Sequence, residues 1–103
     1  MLFHTHQDKL AQLGESVQTA RKLRSLTQND LAKRAGVTRQ AVSSIEKGGS
    51  SKTETLVALL FVLGLDQKFL DSIKLQNDDV GLRLSRLKLP AIVKRKKVSG
   101  DDF

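Results

Sequence analysis

The most constraining feature of the sequence is a helix-ending residue two positions before a helix-starting one. Gly36 can adopt the left-handed conformation that ends a helix, and Thr38 can cap the backbone of a helix that follows it. Thr27 and Asp30 have the spacing of a capping box, which starts the preceding helix. The sequence therefore predicts two short helices that meet at a tight turn. They are placed at about Gln28 to Ala35 and Arg39 to Glu46.

Hydrophobic periodicity predicts a helix before this pair. Apolar residues recur there at steps of three and four, which places them on one face of a helix. These residues are Leu10, Leu13, Val17, Ala20 and Leu23.

Two further helices are predicted after the pair. The stretch 48–51, which is Gly-Gly-Ser-Ser, ends the third helix and leads to a loop. Ser51 with Glu54 then offers a second capping box. Gly64 ends the fourth helix and Asp66 can cap the fifth. The expected inward residues are Leu56, Leu59, Leu60 and Leu63 on the fourth helix, and Phe69, Leu70 and Ile73 on the fifth.

Beyond Ile73 the pattern weakens, and the sequence leaves two alternatives open. Leu82 and Leu84 alternate as in a strand, whereas Val80, Leu84 and Leu87 fit a short helix equally well. The basic stretch 94–97 and the residues after it contain too few apolar side chains to offset the entropy of ordering. The predicted organisation is an N-terminal arm (1–8), an all-α domain (9–75) and a basic, partly disordered extension (76–103).

Composition limits the class of partner. Eighteen Lys and Arg residues against eleven acidic ones give a net charge of +7, which favours polyanions such as nucleic acid or an anionic membrane surface. The chain has no Cys, no apolar run of the roughly 20 residues that span a bilayer, and no signal peptide in its first residues. A soluble, cytoplasmic protein without a membrane partner is therefore expected.

Enzymatic chemistry is not expected. His4 and His6 lie in a segment predicted to be a frayed terminus, and two ligands without a third are weak grounds for a metal site. No phosphate-cradling glycine loop or His-based metal motif is present, so no catalytic residue, metal or cofactor is predicted. All four aromatic residues are Phe, which makes a stacking platform for RNA less favoured than binding to duplex DNA.

The segment from Thr27 to Gly48, TQNDLAKRAGVTRQAVSSIEKG, resembles the helix-turn-helix of the XRE family of Cro and phage repressors. Small or apolar residues stand where two helices must cross closely: Leu31, Ala32, Ala35, Val37, Val42 and Ile45. The resemblance covers about 12–73. It implies a compact, lambda-repressor-like domain of five helices that binds double-stranded operator DNA as a transcriptional repressor.

The resemblance places the second helix of the motif in the major groove. Arg39 then pairs with guanine and Gln40 with adenine, while Ser43 and Ser44 are further base-contacting residues. The competing interpretation of these side chains is a solvated helix face.

Contacts with the DNA backbone and one internal ion pair are also implied. Gln28 matches a Gln that holds a phosphate at a helix N-terminus. The remaining phosphate-contacting candidates are Arg24, Thr38, Lys47 and Lys52. Arg21 and Glu46 match positions that form a structural ion pair between the first and third helices.

Family members commonly bind palindromic sites as two-fold dimers, so a homodimer is expected. The sequence offers two interfaces, which are exposed apolar residues on the last helices, such as Phe61, Leu65 and Phe69, and intersubunit pairing of 82–89. A combination of both is favoured. The short basic extension resembles that of HipB-type antitoxins, which repress their own operon and bind a HipA-like kinase toxin. The alternatives are a stand-alone phage or plasmid-type repressor and a protein-interaction module.

Overall fold

The computed structural model describes residues 5–74 and 79–86. These residues contain six helices and no strand, which confirms the all-α expectation but not the count of five. The helices are α1 (His6–Leu23), α2 (Gln28–Ala35), α3 (Arg39–Glu46), α4 (Thr53–Val62), α5 (Asp66–Ser72) and α6 (Asp79–Arg86).

Helix α1 begins earlier than the sequence predicts. Thr5 and Asp8 form a capping box in which the Thr5 hydroxyl accepts from the Asp8 N–H over 3.2 Å and the Asp8 carboxylate accepts from the Thr5 N–H over 3.1 Å. The predicted N-terminal arm is therefore wrong for residues 6–8, and His6 lies in the helix and not in a frayed terminus. His4 lies outside the described residues. A capping box starts a helix even where the apolar stripe begins only at Leu10.

The turn between α2 and α3 follows the sequence prediction closely. Thr27 and Asp30 make the reciprocal bonds of a capping box over 2.9 and 3.0 Å. Gly36 has φ +72°, and the Val37 N–H reaches back to the Ala32 carbonyl over 3.0 Å. The Thr38 hydroxyl then accepts from the Ala41 N–H over 3.1 Å and caps α3. Only Gly36 and Val37 lie between the end of α2 and this cap.

The caps of α4 and α5 differ from the prediction. Lys52 is the N-cap of α4 and has no capping side chain, because the Ser51 hydroxyl donates to the Lys52 carbonyl instead of accepting from the helix. The predicted second capping box is therefore absent. Gly64, at φ +74°, does end α4, with the Leu65 N–H bonded to the Leu60 carbonyl. Asp66 is the first residue of α5 and not its cap.

The core is formed by α1 to α4 and the loop before α2. Its largest fully buried side chains are Val17, Leu31, Val42, Leu59 and Leu63. Leu23 was predicted to face inward but is 78% exposed, because the buried face of the last turn of α1 is centred on Ala20 and Arg21. Leu23 lies about 120° from Val17 around the helix, on the opposite side from Arg21.

The chain divides into two compact units between Lys68 and Phe69, earlier than the boundary predicted at residue 75. In the second unit, the apolar face predicted for α5 is exposed at Phe69, Leu70 and Ile73. Residues 82–84 lie in α6, which excludes the strand alternative for them, whereas residues 87–89 lie outside the described part. None of the helices in the described residues is long and apolar enough to cross a bilayer.

Candidate nucleic-acid interface

Helix α3 presents one buried and one accessible face. Val42, Ile45 and Glu46 point into the protein, whereas Arg39 and Gln40 are exposed. Ser43 and Ser44 are half-buried. This division arises from the helical repeat, which places Val42, Ile45 and Glu46 on one face of α3 and its first polar residues on another. All four predicted base-contacting residues therefore reach the surface of one short helix.

Two open clefts flank this surface. The first is lined by Arg39, Gln40, Ser43, Ser44, Lys47, Gly48 and Gly49. The second runs along the turn before α3 and the start of α4, and among its lining residues are Thr38, Gln40, Ser44, Ser51 and Lys52. Gln40 and Ser44 line both clefts, so one turn of α3 forms the ridge between them. A polar helix face beside two open clefts is accessible to the edges of bases in a major groove.

The predicted phosphate-contacting residues do not all lie beside α3. Thr38, Lys47 and Lys52 line the clefts beside α3. Arg24 lies at the C-terminus of α1, where its Nη1 donates to the Ala20 carbonyl over 2.8 Å. Gln28 is half-buried at the first position of α2, and its Nε2 donates to Glu46 Oε1 over 3.0 Å. One N–H of the Gln28 amide is engaged inside the protein, which leaves its second N–H as the group able to reach a phosphate.

The ion pair predicted between Arg21 and Glu46 is present and bidentate. Arg21 Nε donates to Glu46 Oε2 over 2.6 Å and Nη2 donates to Oε1 over 2.9 Å. Arg21 Nη1 also donates to the Leu26 carbonyl over 2.9 Å. With the bond from Gln28, these contacts connect α1, the loop before α2, α2 itself and the C-terminus of α3. The recognition surface on α3 is thus held by a buried polar network as well as by the core.

Mutual stabilisation shifts the ionisation of both partners. Hydrogen bonding to Glu46 raises the pKa of Arg21 further above its ordinary value, against the effect of burial. Burial alone raises the pKa of Glu46, but the hydrogen bonds from Arg21 and Gln28 and the positive charge of Arg21 outweigh it and lower that pKa. Both side chains are therefore charged at neutral pH.

The lowered pKa of Glu46 predicts a pH dependence of stability. A carboxylate with a lower pKa in the folded state contributes stability above its unfolded pKa of about 4.3, and this contribution is lost as the pH falls through the folded value. We expect the free energy of unfolding, measured by urea titration between pH 7 and pH 2, to fall less steeply for Glu46→Gln than for the natural chain below about pH 4. Glu15→Gln, which removes an exposed carboxylate from α1, is the control. Parallel curves for Glu46→Gln and the natural chain would contradict the assignment.

The sequence analysis did not predict a second contact that positions α3, which is its close approach to Gly14 of α1. A Cβ atom on Gly14 of α1 would lie 2.3 Å from the Ile45 carbonyl oxygen and 2.7 Å from that of Glu46. A Cβ atom on Gly48, at φ +85°, would lie 3.0 Å from the Cα atom of Ala11, one turn earlier on α1. The backbone of α3 at its C-terminus therefore rests directly on α1. The signal in the sequence was a glycine inside a helix, which costs about 1 kcal/mol relative to alanine and calls for a packing reason.

Comparison with known families agrees with this geometry. Residues 17–66 match the family model described as helix-turn-helix. This segment belongs to the helix-turn-helix family. The match runs from the middle of α1 to the first residue of α5 and so contains α2, α3 and the predicted base-contacting residues. It supports the XRE resemblance. No curated protein matches the chain.

The helix-turn-helix match indicates in general terms what the accessible face of α3 does. Domains of this family are DNA-binding and occur in transcription regulators, and they are generally not enzymes. In the described residues no group of three or more His, Asp or Glu side chains is placed to hold a metal ion. The polar surface of α3 is accordingly a candidate nucleic-acid interface.

Proposed function

We propose that the protein is a sequence-specific repressor of transcription that binds double-stranded operator DNA in the cytoplasm, at the nucleoid. The observation that carries this proposal is the ridge of α3, on which Gln40 and Ser44 lie between two open clefts and the exposed Arg39 lines one of them. Arg and Gln are the side chains that form paired hydrogen bonds with guanine and adenine edges. Their support by a rigid scaffold favours recognition of a specific sequence over general attraction to a polyanion.

In this proposal α3 lies in the major groove and the remaining polar groups fix its register. Arg39 donates to the O6 and N7 atoms of a guanine, Gln40 pairs with an adenine, and Ser43 and Ser44 approach neighbouring bases. Backbone phosphates are bound by Gln28 at the N-terminus of α2 and by Thr38, Arg24, Lys47 and Lys52. The second N–H of the Gln28 amide makes its phosphate contact, since the first is bonded to Glu46.

The operator is bound by a homodimer, because one helix reads only a few base pairs and two-fold dimers read palindromic half-sites about one helical turn apart. Exposed apolar residues support this part of the proposal. Phe61 is 69% exposed on α4 and Phe69 is 38% exposed on α5. Leu65, also predicted for the interface, is half-buried against the core and offers less surface.

The test is a titration of the protein against DNA from its own upstream region and against scrambled DNA, at two salt concentrations. We expect Arg39→Ala/Gln40→Ala to abolish the preference for the upstream sequence, because each paired contact contributes about 1–3 kcal/mol of discrimination. Salt-sensitive, non-specific binding should survive, because the phosphate contacts remain.

Lys9→Ala/Gln12→Ala is the matched control, since it removes the same charge and the same amide from the exposed side of α1. This control should keep the preference of the natural chain. Equal binding of the natural chain to both DNAs, unchanged by the α3 substitutions, would refute sequence-specific recognition through α3.

Within this function we further propose that the protein is the antitoxin of a HipBA-like module, which represses its own operon and binds a HipA-like kinase toxin. The support is the similarity of the basic extension, from Arg83 onward, to that of HipB-type antitoxins. Recovery of a kinase from the native host by pull-down with the full chain would support the antitoxin role. Operator binding without any recovered kinase would favour a stand-alone repressor.

A further inference from the structure

An apolar groove with an acidic rim lies on the outer side of α4, apart from the DNA-binding ridge. It is lined by Thr53, Glu54, Val57, Ala58, Phe61 and Asp66. Val57 and Phe61 form its apolar surface and are 39% and 69% exposed. Neighbouring large side chains of α4, such as Leu59, are fully buried, so the exposed pair stands on the opposite face of the same helix.

The charge of the groove narrows the choice of occupant. Glu54 and Asp66 flank the apolar surface, and neither forms an ion pair within the part of the chain that the structure describes. The whole protein carries a net charge of +7, so the two carboxylates make the groove locally acidic on a basic protein. Two copies of the groove facing each other would oppose carboxylates, which is unfavourable. The groove instead suits a short amphipathic segment that carries basic residues.

Helix α6 has this chemistry. Val80 and Leu84 stand four residues apart on one side and are 60% and 46% exposed, while Leu82 on another side is half-buried. Arg83 directly precedes Leu84 and so lies beside this apolar side, and Arg86 also lies in the last turn of the helix. Neither arginine forms an ion pair among the described residues. Apolar anchors at i and i+4 with flanking charge are the features by which a helix binds in a groove.

We infer that the α4 groove of one protomer binds α6 of a second copy of the chain, in a reciprocal exchange of the two helices. This inference rests on the homodimer of the proposed function and names its interface. Val80 and Leu84 pack on Val57 and Phe61, and Arg83 pairs with Glu54 and Asp66. The same contact, made twice about a two-fold axis, leaves the polar ridge of α3 free for DNA.

The test is a charge swap followed by sedimentation equilibrium of the full chain. Glu54→Lys and Arg83→Glu are each expected to weaken dimerisation at least about tenfold, because either one places like charges together in both contacts. An equimolar mixture of the two variants should recover dimers, since each groove then meets an α6 of opposite charge. Lys68→Glu, a charge reversal outside the groove lining, is the matched control and should dimerise as the natural chain does.

The outcomes separate the inference from the function on which it rests. Recovery in the mixture supports exchange between two copies. Recovery only in the doubly substituted chain Glu54→Lys/Arg83→Glu would place the contact within one chain and overturn the inference. A dimer unaffected by either substitution also overturns the inference. If Arg83→Glu loses DNA binding but still forms dimers, the inference is overturned as well, and Arg83 is assigned to a phosphate contact. A natural chain that stays monomeric would refute the homodimer itself, while the α3 titration tests DNA recognition independently.

Discussion

Replacing Arg21 with methionine is expected to lower the free energy of unfolding by roughly 3–5 kcal/mol, a large share of the stability of a small domain. The substitution leaves the Glu46 carboxylate, whose side chain is only 2% exposed, without its bidentate cationic partner. It also leaves the Leu26 carbonyl without the donor that Arg21 supplies. Urea denaturation followed by far-ultraviolet circular dichroism at pH 7 measures the change.

Two variants show whether this loss comes from the unpaired charge. Lys22→Met removes an exposed cation from the next position of α1 and should change stability by about 0.5 kcal/mol or less. Arg21→Met/Glu46→Leu removes both charges and should recover much of the loss, because buried ion pairs are often replaceable by apolar residues of similar size. A double variant no more stable than Arg21→Met would attribute the effect to lost packing around the Arg21 side chain.

Substitution of Gly14 by alanine is expected to lower stability by about 1–3 kcal/mol and to impair operator recognition at the same time. Alanine is the better helix former, so helix propensity alone predicts a gain of about 1 kcal/mol. The new Cβ atom, however, would stand 2.3 Å from the backbone oxygen of Ile45, and a backbone atom cannot rotate away as a side chain can. Helix α1 and the C-terminus of α3 must separate, which displaces the side chains of Arg39 and Gln40 relative to the rest of the domain.

Gly64→Ala is the matched control for this substitution. A Cβ atom at Gly64 would meet nothing within 4 Å, and its cost arises only from φ +74°. We expect Gly64→Ala to lose stability and to keep the DNA preference of the natural chain once folded. Denaturation midpoints and DNA titrations of both variants make the comparison. Unchanged or increased stability of Gly14→Ala would show that the contact between α1 and α3 adjusts without cost.

These expectations share one physical basis, which is the fixed position of α3. Its N-terminal residues are exposed to solvent. Its C-terminus is held by the Arg21 to Glu46 pair, by its close approach to Gly14 of α1, and by the approach of the following Gly48 to Ala11. A recognition helix held at one end can present its side chains to base edges in a single register. Loss of either support should therefore reduce sequence preference more than it reduces salt-dependent attraction to DNA.

Local signals predicted the helix-turn-helix well because they act between residues close in sequence. The capping box of Thr27 and Asp30, the left-handed Gly36 and the cap at Thr38 all satisfy backbone groups within a few positions. The same signals misled where two interpretations were available, as at Ser51, whose hydroxyl bonds to the Lys52 carbonyl and leaves α4 uncapped. At Thr5 the capping signal was present but lacked an adjacent apolar stripe.

Patterns along the chain were enough to predict the all-α class, the two helices of the motif, the polar surface of α3 and, through resemblance, the pairing of Arg21 with Glu46. They did not predict that Leu23 faces solvent, that Gly14 lies against the backbone of α3, or that Gln28 is bonded to Glu46. The physical reason is that caps and helical periodicity depend on neighbours along the chain. Close approach and side-chain orientation depend on which helices cross and at what distance, and this is established only when the core of α1 to α4 is packed.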